Sequence, residues 1–195
     1  MSAIDRREAV QRLAAVAGVA FTWTDGELFR AHGRRRAAAA AGRAFQAEFF
    51  TAHEYQTVRV LVDLILPRDA RSGSATDAGV PEFMDFMMID RPDGQTRMRG
   101  GLAWLDAECR ERFGAGFIAC SDEQRRELLN LIAWPDRAPA ELSHGVAFFN
   151  MFRDLTSSGF WSSRMGVEDL RYIGNTYVAE WHGCPVEQLR KIGLQ

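Results

Sequence analysis

The stretch Thr51-Ala52-His53-Glu54, followed at once by an apolar run that closes on Pro67, constrains this chain most strongly. A Thr and a Glu three residues apart form a capping box. The hydroxyl accepts from the third helical N–H, and the carboxylate reaches back to the N–H of the cap. The helix so predicted carries Tyr55, Val58, Val62 and Ile65 on one face, while Val60, Leu61, Leu64 and Leu66 cover much of the remainder. A helix apolar on most sides is expected at the centre of a bundle. Pro67 ends it, because the residue before a proline is driven out of helical conformation.

The same grammar recurs downstream. Arg68 to Gly79 is polar and rich in turn residues, and is expected to be a loop. Val80-Pro81 then opens a helix with proline in its first turn, where the missing N–H costs nothing. Phe83, Phe86 and Met87 form its stripe, and Pro92-Asp93-Gly94 closes it. Gln95 to Phe113 follows as a long helix with Met98, Leu102, Leu105, Cys109 and Phe113 at helical spacing, stopped by Gly114 and Gly116. Ser121-Asp122-Glu123-Gln124 is a second capping box, opening a helix that buries Leu128, Leu129 and Ile132 and ends before Trp134-Pro135. Pro139 precedes a helix carrying Val146, Phe149, Phe152 and Leu155, which Ser157-Ser158-Gly159 is expected to break. Pro185 starts a last short helix through Leu189 and Ile192. No segment requires a strand, so the expected class is all-α, a compact domain of about five to seven helices.

Between these helices lies a stretch of another kind, Gly166 to Pro185, in which neither the helical nor the strand period persists. Gly174, Gly183 and Pro185 punctuate it as turn residues. Tyr172, Tyr177 and Trp181 are rings that bury a face yet keep a polar edge. Such a segment either seals the domain's own core or meets a partner, and both uses are open at this level.

At the other end, Arg6-Arg7 precedes a short Ala/Val/Gly segment running to Trp23. A charged region followed by a weakly hydrophobic one is the layout of a twin-arginine export signal, and equally of an amphipathic helix with solvated arginines. Residues 1–23 are therefore assigned as a signal or N-terminal helix, 24–44 as an Arg/Ala-rich linker or loosely docked helix, and 45–195 as the helical domain.

Several chemistries find no support. A net charge of −2 gives no global pull towards nucleic acid. Three cysteines, Cys109, Cys120 and Cys184, are an odd number without a C-x-x-C pair, which argues against a disulfide framework and a structural zinc site. Cys109 and Cys120 fall in helical surroundings as small buried hydrophobes. Gly114-Ala115-Gly116-Phe117-Ile118-Ala119 matches a dinucleotide fingerprint in letters, but it follows a helix and lacks the strand that motif needs. His182 and Cys184 could both reach a metal, yet two ligands are too few. His53 and His144 lie in helical patterns as surface or satisfied core residues. Asp63, Asp85 and Asp90 are expected to be solvated carboxylates at helix edges. No catalytic, cofactor-binding or metal-ligating residue is assigned in this chain.

Three sequence blocks resemble the gluconate 2-dehydrogenase subunit 3 family in its N-terminal half: Phe49 to Glu54, Leu64-Ile65-Leu66-Pro67-Arg68-Asp69, and Ala75 to Phe83. Tyr172-Ile173-Gly174-Asn175-Thr176 and Trp181-His182-Gly183-Cys184-Pro185 resemble its C-terminal signature, so the resemblance spans 45 to 190. It implies a small (gamma) subunit of a dehydrogenase. The large subunit would be an FAD-dependent flavoprotein of the glucose–methanol–choline type that oxidises a sugar, sugar acid or glycoside. A cytochrome c or similar carrier would accept the electrons. The small subunit would stabilise that partner and lead it, already folded, through the twin-arginine route to the periplasm or the periplasmic face of the inner membrane. Without a working signal the location would be cytoplasmic. Under this reading Arg6 and Arg7 form the export signal, and Tyr172, Tyr177, Trp181, His182, Cys184 and Pro185 form the partner-docking segment. Two other readings stand beside it: a self-standing metal- or haem-binding redox protein using His182 and Cys184, and a helical chaperone for an unrelated exported protein.

Overall fold

In this computed structural model the described residues are 45–172, Tyr177, Ala179, Glu180 and 182–194, with Gly26, Arg30 and Gly33 upstream. Arg6, Arg7 and Trp181 lie outside them, as does most of 1–44. Among the described residues there are eight α-helices and no strand. They are α1 (Ala52–Ile65), α2 (Ala75–Ala78), α3 (Val80–Asp90), α4 (Gln95–Phe113), α5 (Asp122–Ile132), α6 (Ser143–Trp161), α7 (Arg164–Asp169) and α8 (Val186–Lys191).

The fold is all-α, and both expected capping boxes form. Thr51 N–H donates to Glu54 Oε2 at 2.8 Å, and Ser121 N–H donates to Gln124 Oε1 at 2.9 Å. The elements differ from the sequence reading at several points. The expected loop 68–79 contains α2, whose own capping box joins Ser74 to Asp77. The expected break at Ser157-Ser158-Gly159 does not occur, and α6 continues to Trp161. Gly159 is required there by packing: a Cβ on it would stand 2.7 Å from Cδ1 of Phe83.

The centre of the domain is α6 rather than α1: it packs against each of α1 to α5 and against α7. Its crossing with α4 is close because each helix offers a glycine to an aromatic ring of the other. A Cβ on Gly101 of α4 would lie 1.9 Å from Phe148 of α6, and one on Gly145 of α6 would lie 2.3 Å from Trp104 of α4. Phe148, Phe152 and Leu155 of α6 meet Val58, Leu61, Phe83, Met87, Met98 and Leu105 in one continuous core.

A carboxylate is buried against this core. Asp85 of α3, flanked by Met84 and Phe86, is only 2% exposed. Its Oδ2 accepts from Glu48 N–H at 2.9 Å, and its Oδ1 from Phe49 and Phe50 N–H at 3.0 and 2.9 Å. The expectation of a solvated edge carboxylate is thus corrected. A carboxylate can remain buried when its lone pairs are filled, here by three consecutive backbone donors. Asp63 is likewise used, accepting from Thr76 N–H at 2.7 Å, and Asp90 pairs with Arg30 at 3.4 Å. Asp85→Ala leaves three backbone N–H groups without an acceptor and should cost about 3 kcal/mol or more. Urea denaturation checks this, with Asp85→Asn, which keeps a carbonyl acceptor, losing less.

Candidate functional site

The residues that suggested a family from sequence turn out to fasten the start of α1. Phe49 and Phe50 are held by Asp85 through their amides, while the Phe49 carbonyl accepts from Arg99 of α4 at 2.7 Å. The same guanidinium lies 4.4 Å from the centre of the Phe49 ring and donates to Glu54 at 3.3 Å. Glu54 therefore serves both the capping box and the α1–α4 contact.

His53 has a partner that its position in the sequence does not announce. Its Nε2 lies 2.5 Å from Oδ2 of Asp106 on α4. Asp106 is 7% exposed and also accepts from Phe117 N–H at 2.8 Å, with Arg110 at 3.4 Å. Burial alone would raise the Asp106 pKa, but the hydrogen bonds from His53 and Phe117 outweigh it and hold the carboxyl below its usual range. Nearby, burial first and then Glu82, which accepts from the Tyr55 hydroxyl at 3.0 Å, raise the Tyr55 pKa.

The C-terminal segment begins with a helix rather than wholly irregular chain. Ser163 caps α7, its Oγ accepting from Gly166 N–H at 3.1 Å. Gly166 sits so close to the end of α6 that a Cβ would stand 2.1 Å from the Phe160 carbonyl oxygen. Arg171 then adopts a left-handed φ of 52°, and Tyr172 N–H returns to the Val167 carbonyl at 3.1 Å. This is the closure that usually takes a glycine. The exit is braced from the side by Arg71, which pairs with Asp169 Oδ1 at 3.0 Å and also donates to the Asp169 carbonyl. Arg71 is itself placed by Asp69, which accepts from the N–H groups of Arg71 and Ser72 at 2.7 and 2.8 Å. A cleft of about 300 Å³ lies at this brace, lined by Arg71, Met165, Glu168, Asp169 and Arg171.

Beyond that brace, apolar surface is in water. Leu170 is 56% exposed, Tyr172 66% and Tyr177 93%, followed by Val186, Ile192 and Leu194. His182, Cys184 and Pro185 are exposed as well, and Gly183 takes a φ of 86°. Among the described residues no group of three or more His, Cys, Asp or Glu side chains is arranged to hold a metal.

The sequence model of the family described as Gluconate 2-dehydrogenase subunit 3 matches residues 52–180. The chain belongs to that family. The match begins at the first residue of α1 and ends within the exposed aromatic segment, and membership makes the chain an accessory subunit of a dehydrogenase complex. No curated protein and no solved structure matches it.

Asp106 supplies a test of the internal fastening. Its folded pKa is depressed, so its contribution is complete above the ordinary carboxylate range and is lost as pH falls through the lower folded value. The destabilisation caused by Asp106→Asn should be largest near neutral pH and shrink below about pH 4. Denaturation midpoints of both proteins across that range measure it.

Proposed function

We propose that this chain is the non-catalytic small subunit of an FAD-dependent dehydrogenase acting on a sugar, sugar acid or glycoside. In this reading it docks on a large flavoprotein of the glucose–methanol–choline type through the segment after Leu170. The observation that carries it is the exposure of Tyr172 and Tyr177, at 66% and 93%, in a chain of a dehydrogenase-subunit family. Tyrosines are favoured interface anchors, since each brings much apolar area and a hydroxyl. Trp181, His182, Cys184 and Pro185 extend the docking segment.

In this reading the redox chemistry belongs to the partner, where a bound FAD would supply the hydride acceptor and a cytochrome c or similar carrier would be the electron acceptor. Arg6 and Arg7 give the small subunit its second role, as the export address for a partner lacking one. The complex then works in the periplasm or at the periplasmic face of the inner membrane.

Co-expression with a large flavoprotein subunit tests the docking. The expected product is a complex whose flavin absorbance and dye-linked sugar oxidation reside in the large subunit. Tyr172→Ala with Tyr177→Ala should weaken assembly about 30-fold, the effect of losing one interface hot spot of about 2 kcal/mol. Undiminished affinity in that variant, or sugar oxidation by this chain alone, contradicts the proposal. For export, Arg6→Lys with Arg7→Lys should leave both subunits in the cytoplasmic fraction, while the unaltered pair appears in the periplasm.

A further inference from the structure

The fold brings together two thiols that the docking reading does not use. Cys109 lies in the last two turns of α4 and is wholly buried, and Cys120, just before α5, is 4% exposed. The chain reverses at Gly114, with a left-handed φ of 75°, and its return is fastened from several sides. Phe117 N–H donates to Asp106, three residues before Cys109 on the same face of α4, at 2.8 Å. Arg125 of α5 donates to the carbonyls of Phe117, at 2.9 Å, and Ile118. Cys120 N–H closes the turn on the Gly116 carbonyl at 3.2 Å, and its thiol donates to the Ala115 carbonyl at 3.5 Å. These bonds set Cys120 against α4 on the side of Asp106 and Cys109, and both thiols are buried in the same core cluster.

The geometry points to Cys109 and Cys120 as a disulfide-forming pair that locks the α4–α5 connection, with an external low-molecular-weight disulfide as oxidant. Cys120, which is the later of the two to be covered by the core, attacks first while the turn after α4 is still forming. Its thiolate displaces one thiol from the external disulfide and leaves a mixed disulfide on Cys120. The Cys109 thiolate then attacks the Cys120 sulfur, the Cys109–Cys120 bond forms, and the second external thiol departs. Two protein thiols are oxidised, one external disulfide is reduced to two thiols, and these take up the two protons. Burial, and then the neighbouring Cys120, push the Cys109 thiol up to about 12, so little thiolate exists in the closed fold. Closure is therefore slow in the folded, reduced protein and fast while the chain is folding. Once made, the bond shortens the reach of the unfolded chain and raises stability.

The full chain and its Cys184→Ser variant are unfolded with reductant, then refolded in a glutathione buffer rich in the oxidised form. Cys184 is exposed, so its replacement spares the core. The expected result is an intact mass lower by two hydrogens in Cys184→Ser. Unreduced tryptic digests should hold peptides 100–110 and 113–125 linked. The linked Cys184→Ser protein should melt several degrees above its reduced form. Two alkylatable thiols remaining in refolded Cys184→Ser, a link from Cys184 to either partner in the full chain, or a linked form that melts below the reduced one would each overturn the proposal.

Discussion

A buried carboxylate organises the approach to the first helix, and much of the domain depends on it. Asp85 projects from the most apolar turn of α3 and binds three successive amides of 48–50. Its negative charge can stay out of water only while that segment keeps one conformation, so the charge specifies the backbone as much as it stabilises it. With 48–50 placed, Phe49 presents its carbonyl and ring to Arg99, Thr51 caps α1, and His53 meets Asp106. Asp106 in turn fixes Phe117 and the return from α4. One chain of polar contacts thus joins α3, α1, α4 and the connection to α5 around a core in which Phe, Met and Leu predominate.

How much of this was legible in the sequence follows from the distance between partners. Capping boxes at Thr51 and Ser121 are local, and both α1 and α5 begin where they predict. The box at Ser74-Ala75-Thr76-Asp77 carried the same signal with Asp in place of Glu, and was hidden by the Gly and Ser residues around it. Ser157-Ser158-Gly159 looked like a break because small residues usually mark turns. Here Gly159 is small because Phe83 lies on it. The roles of Asp85 and His53 depend on partners 35 to 37 and 53 residues away, which no local pattern announces. Flanking Met84 and Phe86 were the one available sign that Asp85 faces inward.

The C-terminal segment divides at Arg171. Before it, Ser163, Gly166, Asp169 and Arg71 tie α7 to the body by specific bonds. After it, Tyr172 and Tyr177 are presented to solvent. Glycines and aromatics without a period left sealing and docking equally open from sequence alone. The exposures supply the argument for docking, and family membership supplies the kind of partner, a dehydrogenase subunit. A firmly braced exit followed by exposed rings suits a subunit whose body is rigid and whose tail engages another protein.

Hydrogen–deuterium exchange of this chain, free and bound to its large dehydrogenase subunit, tests that division most directly. The account predicts that binding slows exchange across 170–194, while the amides of α4 and α6, already protected by the core, change little. Protection confined to the helical body, with 170–194 exchanging as fast in the complex as in the free chain, would contradict it.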